Sequence, residues 1–72
     1  MKRSFVIENL GCAHCAAKME RSVSALPGVN SCSVNFLTSK MTIDADDDKM
    51  DDIFASAAKI VKKFEPNAAL KA

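Results

Sequence analysis

From Ser4 to Asn9 polar and apolar residues alternate, with Phe5 and Ile7 on one face and Val6 and Glu8 on the other, which predicts a strand. The period then changes. Ala16, Met19, Val23 and Leu26 recur at three- and four-residue spacings, which predicts a helix over Ala13–Leu26 with one apolar stripe. Pro27-Gly28 stops it. Val29–Phe36 predicts a second strand, with Cys32, Val34 and Phe36 on one face, and Met41–Ala45 a third. The short Leu37–Lys40 connection between them implies an antiparallel hairpin. Asp46, Asp47 and Asp48 are expected to open a second helix, any one of them capping it. Its stripe is Met50, Ile53, Phe54, Ala57, Ile60 or Val61, and Phe64, and it ends before Pro66. Asn67–Lys71 is expected to form a final strand with Ala68 and Leu70 facing in.

The order β-α-β-β-α-β predicts an α+β, ferredoxin-like fold: a four-stranded antiparallel sheet with two helices on one face. Following the chain up and down this topology brings three connections to one end. They are the loop between the first strand and first helix, the Leu37–Lys40 hairpin and the Lys62–Pro66 loop. Most of the six aspartates between Asp44 and Asp52 go to the other end. Lys40, Lys62, Lys63, Phe64 and Glu65 are therefore expected to wall the first loop.

That loop carries the chemistry. Cys12 and Cys15 stand three apart where the strand pattern gives way to the helix pattern, and Gly11 is expected to give the bend its freedom. Unpaired N–H groups at a helix start favour thiolate, the form that binds metal. A structural zinc site would need a second ligand pair, and the sequence has none. An exposed two-thiolate site for a soft ion is the better reading. The same spacing would serve a thiol–disulfide oxidoreductase, although Gly11 stands where such sites usually carry a bulky residue. A bare interaction module with incidental cysteines is the third reading. His14 reads as a solvated loop residue, with a third ligand or a titrating neighbour as alternatives. Cys32 reads as core. Asp44, Asp46 and Asp48 alternate like a calcium loop, but Lys49 and Ala55 occupy the positions that need Gly and Glu. Met19, Met41 and Met50 read as core rather than thioether ligands. Glu65, brought near the thiolates by the topology, is a candidate third ligand.

The 72 residues suit one domain, 1–72, with a marginal core. A net charge of +1, no Trp or Tyr and four Phe argue against nucleic acid as a partner. No stretch approaches the roughly 20 apolar residues of a membrane helix, so direct membrane insertion is not expected. Free thiols without a secretory signal point to the cytoplasm.

These residues resemble the heavy-metal-associated domain family. Its Gly-Met-x-Cys-x-x-Cys pattern is matched at both cysteines, Cys12 and Cys15, by Asn9-Leu10-Gly11-Cys12-Ala13-His14-Cys15. The likeness continues through Leu26-Pro27-Gly28-Val29, Ser33-Val34-Asn35-Phe36 and Ser39-Lys40-Met41-Thr42-Ile43. The resemblance implies Cys12 and Cys15 as ligands of one heavy-metal ion. Cys12 to Glu20, with Leu10 for the usual Met, and Val61 to Pro66 look more like the amino-terminal domains of zinc-, cadmium- and lead-exporting P-type ATPases than like copper chaperones. Zinc-type domains often carry an Asp ligand before the first cysteine; Gly11 stands there, leaving Glu65, another carboxylate or water to complete the site. The implied function is non-catalytic: to bind Zn, Cd or Pb and pass it to, or regulate, such an ATPase, in cis or in trans. The site would lie in the cytoplasm or at the cytosolic face of the membrane. The alternative is a Cu(I) metallochaperone or copper-ATPase domain. A monomer is expected, and two exposed thiolates also allow a dimer bridged by one ion.

Overall fold

The structure is a computed structural model that describes residues 2–71. Its elements are β1 (Lys2–Glu8), α1 (Ala13–Ser24), β2 (Val29–Asn35), β3 (Lys40–Ala45), α2 (Met50–Phe64) and β4 (Ala69–Lys71), with a single 3-10 turn at Asp47–Lys49. The strands form one antiparallel sheet in the order β2-β3-β1-β4. Both helices lie on one face, giving the expected ferredoxin-like arrangement.

Burial follows the two periodicities. Phe5 and Ile7 of β1, Met41, Ile43 and Ala45 of β3 and Leu70 of β4 point to one side of the sheet. Met19 and Val23 of α1 and Met50, Ile53, Ala57 and Val61 of α2 close over them. Val61, rather than Ile60, is the fully buried member of the α2 stripe. All three central methionines, Met19, Met41 and Met50, are core residues. Phe5 and Phe54 stack at 5.0 Å between ring centroids with a 52° tilt, locking sheet to helix. Among the described residues no helix is long and apolar enough to cross a membrane.

Element ends depart from expectation where local hydrogen bonds outcompete the pattern. β2 stops at Asn35, whose Oδ1 accepts from the N–H groups of Leu37 and Thr38 at 3.0 and 3.3 Å. This Asx turn draws Phe36 out of the ladder and leaves it 38% exposed instead of facing the core. α1 ends at Ser24 rather than Leu26, because the chain tightens through Leu26 N–H to the Val23 carbonyl (3.0 Å) before turning at Gly28, φ +90°. No aspartate side chain caps α2. The helix is entered through the 3-10 turn, where backbone carbonyls of Asp46 and Asp47 take the N–H groups of Lys49 and Met50. β4 is shorter than expected. Ala68 is fully buried, but its N–H closes a turn on the Glu65 carbonyl at 2.9 Å, so pairing begins at Ala69.

Cys32 of β2 faces the helices and is half-buried; burial, and secondarily the charge of Glu20, pushes its thiol up to about 11. Because the folded value is raised, the stability the thiol contributes is intact below about pH 8.5, where it is protonated in both states. It is lost as pH climbs toward 11, since the unfolded chain ionises first. Urea unfolding of wild type and Cys32→Ala between pH 8 and 11 is expected to show wild type losing stability relative to the variant across that window. A pH-independent difference would contradict this account.

Candidate metal centre

Cys12 is the N-cap of α1, with φ −135° and ψ 110°. Its carbonyl accepts from Ala16 N–H at 3.0 Å, beginning the helix. Its Sγ accepts from Cys15 N–H at 3.2 Å, so sulfur fills the role that a Ser or Asp oxygen usually plays. Cys15 is the third residue of the helix, one turn on and on the same side. Its Sγ lies 3.8 Å from the Phe64 carbonyl, at the last residue of α2.

Gly11 acts differently from expectation. The left-handed turn after β1 is made by Asn9, φ +60°, and not by Gly11. A Cβ on Gly11 would meet nothing within 4 Å, so packing does not demand glycine either. What Gly11 contributes is its N–H, which donates to Glu65 Oε2 at 3.3 Å. This bond joins the β1–α1 loop to the end of α2. The hairpin arrives at the same end, its Ser39 carbonyl accepting from Ile7 N–H at 2.7 Å.

One ligand atom each from Cys12, Cys15 and Glu65 lies within 4.8 Å of the others, and all three residues are half-buried. A tetrahedral ion with Zn–S bonds of about 2.3 Å and Zn–O bonds of about 2.0–2.2 Å holds its donors about 3.5–3.8 Å apart. The three donors are therefore within roughly an ångström of ligating distance, and the residues fit such an ion. His14 is exposed and outside this group; only its backbone N–H contributes, toward Cys12. Cys32 lies outside it too, as do Asp44, Asp46 and Asp48, which form no such group among the described residues.

The two thiols are unequal. Cys12 is held below the ordinary thiol range, first by the Cys15 thiol donating to it, then by the backbone N–H groups of Cys15 and His14. Partial burial and the Glu65 carboxylate oppose this. Cys15 is pushed up because its proton serves Cys12, because it is partly desolvated, and because Cys12 and Glu65 are negative nearby. The cation that eases this is Lys18 of α1, on a helix face that sequence patterning marks only as polar. Lys62 instead donates to the Ala68 carbonyl at 3.3 Å, and the Lys63 ammonium sits 5.8 Å from the Phe64 ring centroid. Of the expected wall, Phe64 and Glu65 are the residues seen to reach the loop.

Residues 4–68 match the sequence profile described as the heavy-metal-associated domain. The cadmium, zinc and cobalt-transporting ATPase of Bacillus subtilis is 32% identical over 71 residues, 99% of this chain and 10% of the relative. The zinc/cadmium/lead-transporting P-type ATPase of Escherichia coli is 44% identical over 45 residues, 62% of this chain and 6% of the relative. The chain thus spans a tenth or less of these proteins. Among solved structures, the N-terminal domain of a potential copper-translocating P-type ATPase from Bacillus subtilis, in the Cu(I)-loaded state, superposes with a TM-score of 0.74. It is 26% identical, and the match covers 97% of this chain and 82% of that one.

The thiols titrate as a pair, so removing one must move the other. In Cys12→Ala, the Cys15 thiol is expected to ionise at lower pH than in wild type, read as thiolate absorbance against pH. An unchanged or higher Cys15 midpoint would show that the two sulfurs do not interact.

Proposed function

The chain belongs to the heavy-metal-associated domain family, a metal-binding module rather than a catalyst on its own, and from that premise we propose that it binds one Zn(II), Cd(II) or Pb(II) ion through Cys12, Cys15 and Glu65. It then delivers the ion to, or uses it to regulate, a heavy-metal-exporting P-type ATPase. The chain acts as one domain, in cis within the pump or in trans as a carrier, in the cytoplasm or at the cytosolic face of the membrane.

The observation that carries this reading is the carboxylate beside the thiolates. Two thiolates alone suit Cu(I), whereas Zn(II) is almost always four-coordinate and accepts oxygen ligands. Three donors from one chain favour one ion per monomer over an ion shared by two. The remaining position is open to water or to an incoming thiolate. That openness permits transfer: a partner's sulfur enters, both proteins share the ion, and the original thiolates leave in turn. The relatives named for zinc and cadmium support the same choice of metals.

A second reading, Cu(I) carriage by the two thiolates alone, draws on the copper-loaded structural relative. The two readings separate on Glu65. Cys12→Ser and Cys15→Ser are each expected to abolish tight binding of any of these ions while leaving the far-ultraviolet circular dichroism unchanged. Glu65→Gln is expected to weaken Zn(II) and Cd(II) binding by about tenfold or more and to leave Cu(I) binding unchanged, measured by competition with chromophoric chelators. Equal affinity of wild type and Glu65→Gln for all three ions would favour the Cu(I) reading.

A further inference from the structure

Glu65 leaves α2 in an extended conformation, φ −138° and ψ 94°. Its carbonyl and the Ala68 N–H, 2.9 Å apart, close a turn over residues 65–68. Inside that turn the Asn67 carbonyl accepts from Asn9 Nδ2 at 3.2 Å. Asn9 belongs to the other loop, two residues before Gly11 and three before Cys12. Its φ of +60° is a conformation that residues with side chains seldom adopt, Asn being among those that do so most readily. The left-handed backbone turns the chain from β1 toward the cysteines, while the side-chain amide reaches back to the turn that Glu65 begins. Asn9–Asn67 and Gly11–Glu65 thus cross-link the same two loops.

We propose that Asn9 is a positioning residue for the oxygen ligand: its amide holds the 65–68 turn so that the Glu65 carboxylate stands beside the two sulfurs. The inference rests on Glu65 being the third donor. It assigns Asn9 a role in which metals the site prefers, because the tether acts on the oxygen and not on the thiolates. Cys12 and Cys15 are placed by α1 itself, through Cys12 as N-cap and the Cys15 N–H to Cys12 Sγ bond. Ions that need oxygen should therefore feel the loss of the tether, and an ion satisfied by two sulfurs should not. Losing an outer partner of a metal ligand typically costs about 10- to 100-fold in affinity.

The test is a pair of substitutions in the intact reduced chain, each alone and combined with Glu65→Gln. Asn9→Gly keeps the left-handed backbone and removes the amide. Asn9→Asp keeps a side chain suited to that backbone and sets an acceptor against the Asn67 carbonyl, which controls for the flexibility that glycine adds. Both are expected to weaken Zn(II) and Cd(II) binding about tenfold, to leave Cu(I) binding unchanged, and to add nothing once Glu65 is Gln. Unchanged Zn(II) and Cd(II) affinity in both variants, with Glu65→Gln still weakening it, would overturn the role of Asn9 and leave the Glu65 reading standing. Equal losses for Cu(I), or a further tenfold loss on top of Glu65→Gln, would also overturn it, since the tether would then be acting on the thiolates. No effect of Glu65→Gln itself would overturn both.

Discussion

Residues 54 positions apart meet where the Gly11 N–H donates to the Glu65 carboxylate. The site depends on that junction. Without it, Cys12 and Cys15 are two half-buried sulfurs at a helix start. With it, the Glu65 carboxylate stands within 4.8 Å of both sulfurs, a hard donor beside two soft ones. The fold supplies the meeting point, because β1 and α2 both run toward the same end of the sheet. The packed core beneath, from Ile7 and Met19 to Val61 and Leu70, keeps the two loops in register.

The electrostatics at this end pull in two directions. The Cys15 thiol and the N–H groups at the helix start lower Cys12, while the proton that Cys15 gives to Cys12, partial desolvation and the negative Cys12 and Glu65 raise Cys15, eased by Lys18. The result is one acidic thiol and one reluctant one. A divalent cation resolves the conflict, since its charge reverses the effect of every nearby anion. The negative groups that add to the raising of Cys15, after its hydrogen bond to Cys12 and its desolvation, would attract a bound cation. A carrier benefits from such a balance. In the proposed carrier role, such a site would hold the ion by its own charge and admit a competing thiolate with no rigid cage to dismantle.

Much of this was legible in the residues. Alternation at Phe5 and Ile7, the stripe of Ala16, Met19 and Val23, and the Pro27-Gly28 stop were enough to order the elements, and the order implied which loops share an end. The placement of Glu65 near the cysteines came from topology alone. Finer features were hidden because single side chains decide them. Asn35 ends β2 by binding its own backbone, which no hydrophobic period reveals, and so Phe36 lies outside the core. The aspartates before α2 looked like caps, yet backbone carbonyls do that work. Gly11 suggested a flexible bend, whereas the unusual backbone belongs to Asn9. Asn next to a turn is a recognisable signal for left-handed backbone, but its partner Asn67 lies 58 residues away. Lys18 was visible only as one polar residue among several.

The claim that an oxygen of this chain completes a two-sulfur site is tested most directly by the cadmium-113 resonance of fully reduced protein saturated with Cd(II) under anaerobic conditions. The account requires one ion per chain and a shift in the range of two sulfurs with oxygen donors. A four-sulfur shift at one ion per two chains would contradict it, because the thiolates would then be completing the site between molecules and Glu65 would have no place in it.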